Sequence, residues 1–239
     1  NAAISTWFGR SLTTSEYRTW RRLTDELASG VAGGSGQRPV FHPLRVSAVE
    51  KVTADSTAIT FDVPADLAHE YRYLQGQHLT LRAVIGGVEV RRSYSITEPV
   101  SARTLRVAVK QIEGGAFSTY VNESLSVGEV LDVMTPTGAF NVALDAEQER
   151  HHVAVVAGSG ITPMMSTIAT TLEAEPRSRF TLVYGNRTTA STMFDAEISA
   201  WQERYGDRLD VRRVLSREEG AALTGRITPE LVARLVPDP

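Results

Sequence analysis

The sequence predicts two successive domains, an antiparallel β-barrel followed by an α/β domain with a parallel sheet. Between about residues 41 and 141, short segments alternate apolar and polar side chains and stop at Gly or Pro, as strands with one buried face do. From residue 152 onward, continuous apolar strands alternate with helical segments, which is typical of a parallel sheet. The predicted domains are therefore 39–146 and 147–239, preceded by an extension over 1–38.

The barrel strands are expected wherever the alternation is regular. The third predicted strand runs into Gly86-Gly87, a turn signal that predicts a hairpin with the fourth. The α/β strands are expected at the apolar runs, and Pro229 favours a helix start at Thr228. A further helix is predicted over 193–205, with Phe194, Ile198 and Trp201 on one face. The expected strands are 44–49, 58–63, 79–84, 88–90 and 105–110 in the barrel, and 153–157, 180–184 and 209–215 in the α/β domain.

The sequence of the extension, residues 1–38, predicts a short helix followed by a linker. An apolar stripe at helical spacing is followed by a Gly- and Ser-rich run at 33–36. The helix is either a docking element for a partner or an extension packed on its own domain, and we favour the second. Asn1 in place of Met indicates a processed or incomplete start. The stripe consists of Tyr17, Trp20, Leu23 and Leu27.

Composition excludes several classes of function. The net charge of −3 gives no basic field for nucleic acid, and no apolar run is long enough to span a membrane. The chain has no cysteine, which removes disulfides and thiolate metal ligands and is compatible with a cytoplasmic location. His151-His152 lacks a nearby metal-ligand motif, so no metal site is expected there. Asp195 and Glu197 are interpreted as solvated acids on a helix face.

Three motifs carry chemistry. In Arg92-Ser93-Tyr94-Ser95, alternation places Arg92 and Tyr94 on one face of a strand and Ser95 on the other. A guanidinium can hold a diphosphate, a Tyr ring can lie against a flat ring, and a Ser hydroxyl can donate to a ring nitrogen. An ordinary exposed strand end is the alternative.

The other two motifs are Gly-rich turns that open helices. Free N–H groups and the positive end of the helix dipole make such a start an anion site, although a plain turn and cap has the same sequence. The second turn follows a buried strand, which is the context that a dinucleotide loop needs, and its proline is expected to start the helix. The first motif comprises Gly115, Ala116, Phe117 and Ser118, and the second comprises Gly158, Gly160, Thr162 and Pro163.

The order of these motifs resembles the ferredoxin–NADP reductase superfamily over about residues 40–239. Within it, the chain is most similar to the reductase components of phenylacetyl-CoA monooxygenase (epoxidase) systems, and to steroid-hydroxylase and acyl-desaturase reductases. The segments that carry this likeness are Phe41-His42-Pro43-Leu44, Gly76-Gln77-His78, Val109-Lys110, Pro136-Thr137-Gly138-Ala139-Phe140 and Tyr184-Gly185-Asn186-Arg187.

The resemblance implies a role for each site residue. Arg92 would bind the FAD diphosphate, Tyr94 would contact the flavin, and Ser95 would sit near flavin N5. Residues 115–118 would cradle the diphosphate through backbone N–H groups, with Val109 also at the FAD site. The turn that contains Gly158, Gly160, Thr162 and Pro163 would form the nicotinamide dinucleotide loop. His78 is expected to be a half-buried barrel histidine.

The choice between NADPH and NADH depends on the segment after the second α/β strand. An acid there would favour the 2′-hydroxyl of NADH, but residues 185–189 contain none. Arg187, helped by Thr and Ser hydroxyls, favours the 2′-phosphate of NADPH, with a plain surface arginine as the alternative. Ser216 and Arg217, at the end of the third strand, are further candidates.

The function that the resemblance implies is a reductase of a phenylacetate-degrading type. NADPH would reduce FAD, and electrons would pass to an iron–sulfur domain or ferredoxin and then to an oxygenase. A stand-alone flavin reductase or NAD(P)H oxidase, and a non-catalytic FAD-binding electron relay, are the alternatives. The family's Cys-Gly-Pro-x-x-Met segment and 2Fe–2S domain are absent, so we expect this sequence to be part of a longer protein.

Overall fold

A computed structural model of the chain describes residues 39–236. The predicted N-terminal helix and linker lie outside these residues, as do the last three positions. Two sheets organise the described part, one antiparallel and one parallel. This arrangement confirms the two-domain fold class that the sequence predicts.

The first sheet has six antiparallel strands in the order β4-β3-β6-β1-β2-β5. Gly86 and Gly87 both have positive φ, 59° and 80°, which builds the predicted β3–β4 hairpin. An antiparallel bridge between Ile96 and Val107 brings the two edge strands together. The elements are β1 (Phe41–Thr53), β2 (Ser56–Asp62), β3 (His78–Ile85), β4 (Val88–Ser95), β5 (Leu105–Lys110), α1 (Ala116–Glu123) and β6 (Val130–Met134).

The inner faces of these strands form one apolar core. Leu44, Ile59, Leu79 and Val107 alternate with outward-facing residues and are fully buried. Phe117 of α1 is also buried in this core, so the helix start is held against the barrel. The core thereby fixes α1 relative to β4.

The second sheet has three parallel strands in the order β7-β8-β9. Strand β8 is buried along nearly its whole length, as the sequence predicts, whereas β7 buries only Ala154 and leaves Val155 45% exposed, so the expectation of a buried β7 is wrong. Ala58 and Ala108 of the barrel belong to the core beneath this sheet, so the two sheets share a packed boundary. The elements are β7 (His151–Ala157), α2 (Ile161–Ala174), β8 (Arg179–Asn186), α3 (Asp195–Tyr205), β9 (Leu209–Leu215) and α4 (Pro229–Leu235), with short 3₁₀ turns at 158–160, 189–191 and 206–208.

The helix predicted over 193–205 begins later than expected. Phe194 has φ 60° and ψ 22°, a left-handed conformation that a helix cannot contain, and the helix starts at Asp195. Ile198 and Trp201 nevertheless pack with Phe194 in one core cluster, as their spacing predicts. A single residue outside the helical region therefore shifts the boundary without changing the buried face.

Candidate functional site

Strand β4 presents Arg92 and Tyr94 on one face and Ser95 on the other. The β3–β4 register is continuous, with Leu81 opposite Arg92 and Leu79 opposite Tyr94. Because both leucines are fully buried, Arg92 and Tyr94 stand on the core side of the strand, at its exposed rim. This is the alternation that the sequence predicts.

Arg92 and its neighbour Arg91 differ in their partners. The Arg91 guanidinium pairs with the Glu89 carboxylate at 2.7 Å. Arg92 makes no ion pair with any residue from 39 to 236, and its Nη1 donates only to the Arg91 carbonyl, at 2.7 Å. An exposed guanidinium without a carboxylate has its donors available for an anionic group.

The start of α1 lies beside this face. Tyr94 and Phe117 have ring centroids 5.8 Å apart. Gly115 is the N-cap and provides no side-chain acceptor, so the first-turn N–H groups of Ala116, Phe117 and Ser118 have no partner among the described residues. Since the Phe117 ring is buried, this residue offers a ligand its backbone only.

Ser118 stabilises the turn from inside. Its hydroxyl accepts from the Ile112 N–H at 3.1 Å and donates to the Gly115 carbonyl at 3.0 Å. A Cβ on Gly115 would lie 2.6 Å from the Ser118 Oγ, so glycine is required where this hydroxyl folds back. The Ser118 side chain therefore shapes the turn, while its N–H has no partner among the described residues.

Two segments from the family resemblance contact each other next to Ser95. Gly76 has φ 81°, and a Cβ there would come within 1.8 Å of the Phe140 carbonyl oxygen. His78 is directly opposite Ser95 in the register, and its Nε2 lies 3.2 Å from the Thr137 Oγ1. His78 is half-buried as expected, and this burial lowers its pKa. A neutral imidazole is therefore favoured beside Ser95.

Val109 occupies a different position from the other predicted FAD residues. Its side chain is fully buried in the barrel core, and its carbonyl accepts from the Asn122 Nδ2 at 3.1 Å. The side chain therefore contacts the core rather than an open surface. Only the neighbouring backbone remains for a ligand.

A cleft of about 560 Å³ opens at the carboxyl edge of the parallel sheet. This edge is where ligands bind in open α/β sheets. Two barrel residues form one wall, and the ends of β7, β8 and β9 form the others. The lining residues are Asp55, Lys110, Ala157, Gly158, Ser159, Gly185, Asn186, Arg187, Ser191, Ser216, Gly225, Arg226 and Ile227.

The Gly-rich turn after β7 lies on this cleft. Gly158 has φ 51°, and no atom lies within 4 Å of the position of a Cβ, so the backbone there is open to approach. The Thr162 hydroxyl donates to the Ser159 carbonyl at 3.0 Å and closes the turn. Helix α2 begins at Ile161, not at Pro163 as expected, because the 3₁₀ turn runs directly into it. Pro163 lies in the first helical turn, where its missing N–H costs nothing.

Tyr184 supports the turn from beneath, a role that the sequence does not reveal. Its hydroxyl lies 3.2 Å from both the Gly158 and the Met193 carbonyl oxygens and donates to them. The residue is fully buried, and burial raises the pKa of its phenol. A protonated hydroxyl is thus a permanent donor at the turn.

The predicted 2′-phosphate residues lie where β8 and β9 end. The Ser216 N–H donates to the Asn186 carbonyl at 2.9 Å, and the Arg217 N–H donates to the Arg187 carbonyl at 2.8 Å. Arg187 and Ser216 line the cleft, whereas Arg217 is not among its lining residues. Arg226 also lines it, and only the structure brings it there.

Glu218 changes the expected surroundings of Arg187. Its carboxylate accepts from the Thr189 N–H at 2.6 Å and from the Thr189 hydroxyl at 2.8 Å. The sequence contains no acid in the 185–189 turn, but this one arrives from the end of β9. The Thr189 hydroxyl therefore donates its hydrogen to Glu218 rather than to a ligand.

The barrel wall of the cleft carries a charged pair. The Lys110 Nζ lies 2.9 Å from an Asp55 carboxylate oxygen. Burial alone would raise the pKa of Asp55, but hydrogen bonds from Lys110 and Thr53 lower it, so the carboxylate stays ionised. The ammonium and the carboxylate of this pair both line the cleft, so together they add no net charge to its barrel wall.

Several residues that the sequence analysis interpreted as unpaired form ion pairs. Asp195 accepts from the Arg213 Nε at 2.6 Å, and Glu197 accepts from the Arg106 Nη2 at 2.7 Å, so their interpretation as solvated acids is wrong. The partners lie on other strands, which helical spacing cannot show.

The buried Glu175 carboxylate lies within hydrogen-bonding distance of the His152 Nε2, at 3.0 Å. The same carboxylate accepts from Arg150 and from the Ser178 hydroxyl. Glu175 lies 23 positions from His152 along the chain, yet the end of α2 brings it to β7. Within residues 39–236, no group of three His, Cys, Asp or Glu side chains is placed to hold a metal ion, and no helix is long and apolar enough to cross a bilayer.

Two family models match the chain. An oxidoreductase FAD-binding domain matches residues 43–142, and an oxidoreductase NAD-binding domain matches residues 155–239. The chain belongs to the ferredoxin–NADP reductase superfamily. Both cofactor-binding domains of these oxidoreductases are therefore present, in the order that the sequence predicts.

Curated relatives narrow the comparison. The chain is 46% identical over 197 residues to one of the subunits of the 1,2-phenylacetyl-CoA epoxidase of Escherichia coli K12, covering 82% of this chain and 55% of the relative. It is 34% identical over 187 residues to the ferredoxin reductase component of 3-ketosteroid-9-alpha-monooxygenase of Rhodococcus rhodochrous, covering 77% and 52%. The chain thus spans about half the length of these relatives.

A solved structure shows the same fold. The FAD/NAD-binding domain of the Vibrio cholerae nitric oxide dioxygenase superposes with a TM-score of 0.68 at 23% identity, covering 78% of this chain and 79% of that one. At this identity the likeness concerns the fold alone. The barrel and the parallel sheet are thus the arrangement of a known flavoprotein module.

Proposed function

We propose that this chain is the flavin- and nicotinamide-binding part of a reductase that delivers electrons from NADPH, through FAD, to an iron–sulfur domain or ferredoxin and an oxygenase. One observation carries the proposal. A single chain joins an anion-accepting surface, formed by Arg92 and the start of α1, to a cleft at the carboxyl edge of a parallel sheet. These are the two surfaces that FAD and a nicotinamide dinucleotide require.

The barrel residues fit FAD. Arg92 and the free N–H groups of Ala116 and Phe117 would hold the diphosphate, since both supply donors without a competing carboxylate. The half-exposed Tyr94 ring would lie against the flavin, and the Ser95 hydroxyl would donate at N5. When bound, FAD accepts a hydride and returns electrons singly, and the protein orients the reaction.

The cleft fits a dinucleotide. The open backbone at Gly158 would admit the diphosphate, with the exposed Gly160 beside it and with Thr162 and Pro163 in the first turn of the helix. The Lys110 ammonium lines the same cleft from the barrel but is paired with Asp55, so the net positive charge of the cleft comes from Arg187 and Arg226.

We infer a preference for NADPH over NADH. Arg187 and Arg226 line the cleft, and neither makes an ion pair with another residue of the 39–236 range. The Glu218 carboxylate accepts hydrogen bonds from Thr189 and makes no ion pair with Arg187 within residues 39–236. The Arg187 guanidinium is therefore available for a phosphate. Arg217, next to Ser216 at the end of β9, would add a guanidinium to the same phosphate, whereas both Ser216 donors are bonded to the Asn186 carbonyl.

The electron exit is proposed from the relatives. Both named relatives are components of oxygenase systems, an epoxidase and a monooxygenase. No cysteine occurs in the 239 residues, so a cysteine-held 2Fe–2S cluster must be supplied by another segment or protein. The proposed oxygenase partner is of the phenylacetyl-CoA epoxidase type.

Anaerobic stopped-flow reduction of the FAD-loaded chain tests the proposal. NADPH should bleach the flavin faster than NADH, and Arg187→Ala should reduce the NADPH rate constant at low concentration by roughly tenfold or more, because a charged hydrogen-bonding partner is lost. Arg179→Ala is the matched control, an exposed arginine at the opposite end of β8. Faster reduction by NADH, or equal effects of both variants, would remove Arg187 from this role.

A further inference from the structure

We propose that Arg106 is a positioning residue that fixes the flavin-binding barrel against the dinucleotide-binding domain at the distance hydride transfer requires. The inference rests on the proposed function for the identity of the reaction. It assigns a role to a partly buried charged cluster outside both cofactor surfaces. The cluster consists of Arg106, Glu98 and Glu197.

In this cluster, the Arg106 guanidinium lies between the carboxylates of Glu98 and Glu197. Arg106 lies on β5, and its side chain is 15% exposed. Its Nη1 and Nη2 donate to the two Glu197 oxygens at 3.2 and 2.7 Å, and its Nε pairs with Glu98 at 2.6 Å. Only a planar guanidinium provides three such donors in fixed directions. Between segments 41–134 and 151–236, Arg106–Glu197 is the single ion pair.

On the barrel side, Arg106 is bonded to the continuation of the flavin strand. Strand β4 ends at Ser95, the next residue bridges to Val107, and the Thr97 N–H donates to the Arg106 carbonyl at 2.9 Å. Glu98, one residue later, pairs with the guanidinium. The segment that places Ser95 is therefore held by both the backbone and the side chain of Arg106.

On the other side, Arg106 reaches the start of α3. Glu197 is in the first turn of this helix, and the guanidinium carbon lies 5.4 Å from the centroid of the Phe194 ring. Phe194 is buried in the left-handed conformation, a strained state that persists only when its surroundings hold it. The Arg106 contact contributes to those surroundings.

A continuous series of contacts links this helix start to the dinucleotide turn. The residue before Phe194 is Met193, whose carbonyl accepts from the Tyr184 hydroxyl. The same hydroxyl reaches the Gly158 carbonyl. Arg106 is thus connected to the flavin strand on one side and to the Gly-rich turn on the other.

The remaining boundary is weak by comparison. Its apolar contacts from the barrel are two small buried side chains, Ala58 and Ala108, and the partly buried Val52. Its hydrogen bonds at Val100 and Ser101 are exposed. Small apolar contacts and exposed hydrogen bonds permit sliding, whereas a bidentate ion pair specifies one orientation.

Loss of the Arg106 ion pairs should lower the rate of flavin reduction more than it weakens cofactor binding. A displacement of 1 Å between reacting groups can cost roughly 100-fold in rate. We expect Arg106→Gln to lower the flavin reduction rate at saturating NADPH by roughly 10- to 100-fold. The Kd values for FAD and NADPH should stay within about twofold, because Arg106 lines neither site. Arg106→Lys should recover part of the rate, since an ammonium can pair with one carboxylate only.

Glu197→Gln removes the connection from the other side and leaves Arg106 in the barrel, so it provides a second variant should Arg106→Gln fail to fold. Arg82→Gln is the matched control. Arg82 also pairs with a carboxylate, Asp132, at 3.0 Å and lies 4.3 Å from the Phe41 ring, but all three residues are in the barrel. The control should leave both the rate and the domain orientation unchanged.

The orientation itself is measurable because the chain has no cysteine. Spin labels at Val88→Cys and Glu203→Cys, both exposed positions, report the distance between barrel and α3 by double electron–electron resonance. Arg106→Gln and Glu197→Gln should broaden or shift a narrow distribution, and Arg82→Gln should not. An unchanged distribution in the first two variants, or a rate loss equal to that of the control, would overturn the inference. A wild-type chain that NADPH does not reduce would refute the proposed function, while the distance measurement would still test Arg106.

Discussion

Arg92 and Arg91 offer a direct test of the FAD surface, because they are adjacent, exposed and differently paired. We predict that Arg92→Ala weakens FAD binding far more than Arg91→Ala. Arg91 is committed to Glu89 at 2.7 Å, whereas Arg92 makes no ion pair within residues 39–236. Alternation along β4 also places only Arg92 on the face of Tyr94.

The magnitude follows from the bonds that are lost. A hydrogen bond to a charged group contributes about 1.5–3 kcal/mol, and each 1.4 kcal/mol is tenfold in Kd. Loss of the Arg92 guanidinium should therefore raise the Kd for FAD about 10- to 150-fold. Arg91→Ala removes an exposed ion pair, which contributes about 0–1 kcal/mol to stability and nothing to the cofactor.

The assay is a titration of the flavin-free protein with FAD, followed by quenching of flavin fluorescence at two salt concentrations. If Arg92 contacts the diphosphate through its charge, the difference in the Kd for FAD between wild type and Arg92→Ala should become smaller as the salt concentration rises. Equal losses in the two variants would show that the strand register is wrong. An unchanged Kd in Arg92→Ala would refute its assignment to the diphosphate.

Three other predictions concern stability and the turn at Gly158. Gly76→Ala should cost about 2–5 kcal/mol in urea unfolding, because its Cβ meets the Phe140 carbonyl and its φ is positive, whereas Gly87→Ala, with a similar φ and open space, should cost about 1–2 kcal/mol. Burial alone would raise the pKa of Glu175, but hydrogen bonds from Arg150, His152 and Ser178 lower it to about 2 from 4.5. Its contribution is therefore complete above about pH 4.5 and lost as the pH falls towards 2, and unfolding of Glu175→Gln should show a smaller pH dependence over that range. Tyr184→Phe should weaken NADPH binding without changing the Kd for FAD, and an equal loss of both would contradict its local role.

Local patterns were sufficient to predict most of the fold. The Gly86-Gly87 turn predicted the β3–β4 hairpin, and the runs at 153–157 and 180–184 predicted β7 and β8, because each signal is contained in a few neighbouring residues. The strand order β4-β3-β6-β1-β2-β5 was not readable, since it depends on pairing between distant segments.

The candidate site, too, could be predicted only where its signals lie within a few neighbouring residues. The faces of β4 and the two Gly-rich turns were predictable from alternation and spacing. The partners of Glu197 and His152 were not, because they lie 91 and 23 positions away along the chain. Arg226 likewise reaches the cleft only through the loop after β9. Charged side chains are thus the residues whose roles sequence patterns predict least well.

The most direct test of the central claim is the identity and amount of flavin in the purified chain. The protein, loaded with flavin and freed of excess, is denatured, and the released cofactor is separated and quantified. The account predicts a yellow protein that releases about one FAD per chain and no FMN, since Arg92 and the start of α1 are built for a diphosphate. A colourless protein that takes up no FAD, or one that retains FMN equally well, would contradict it.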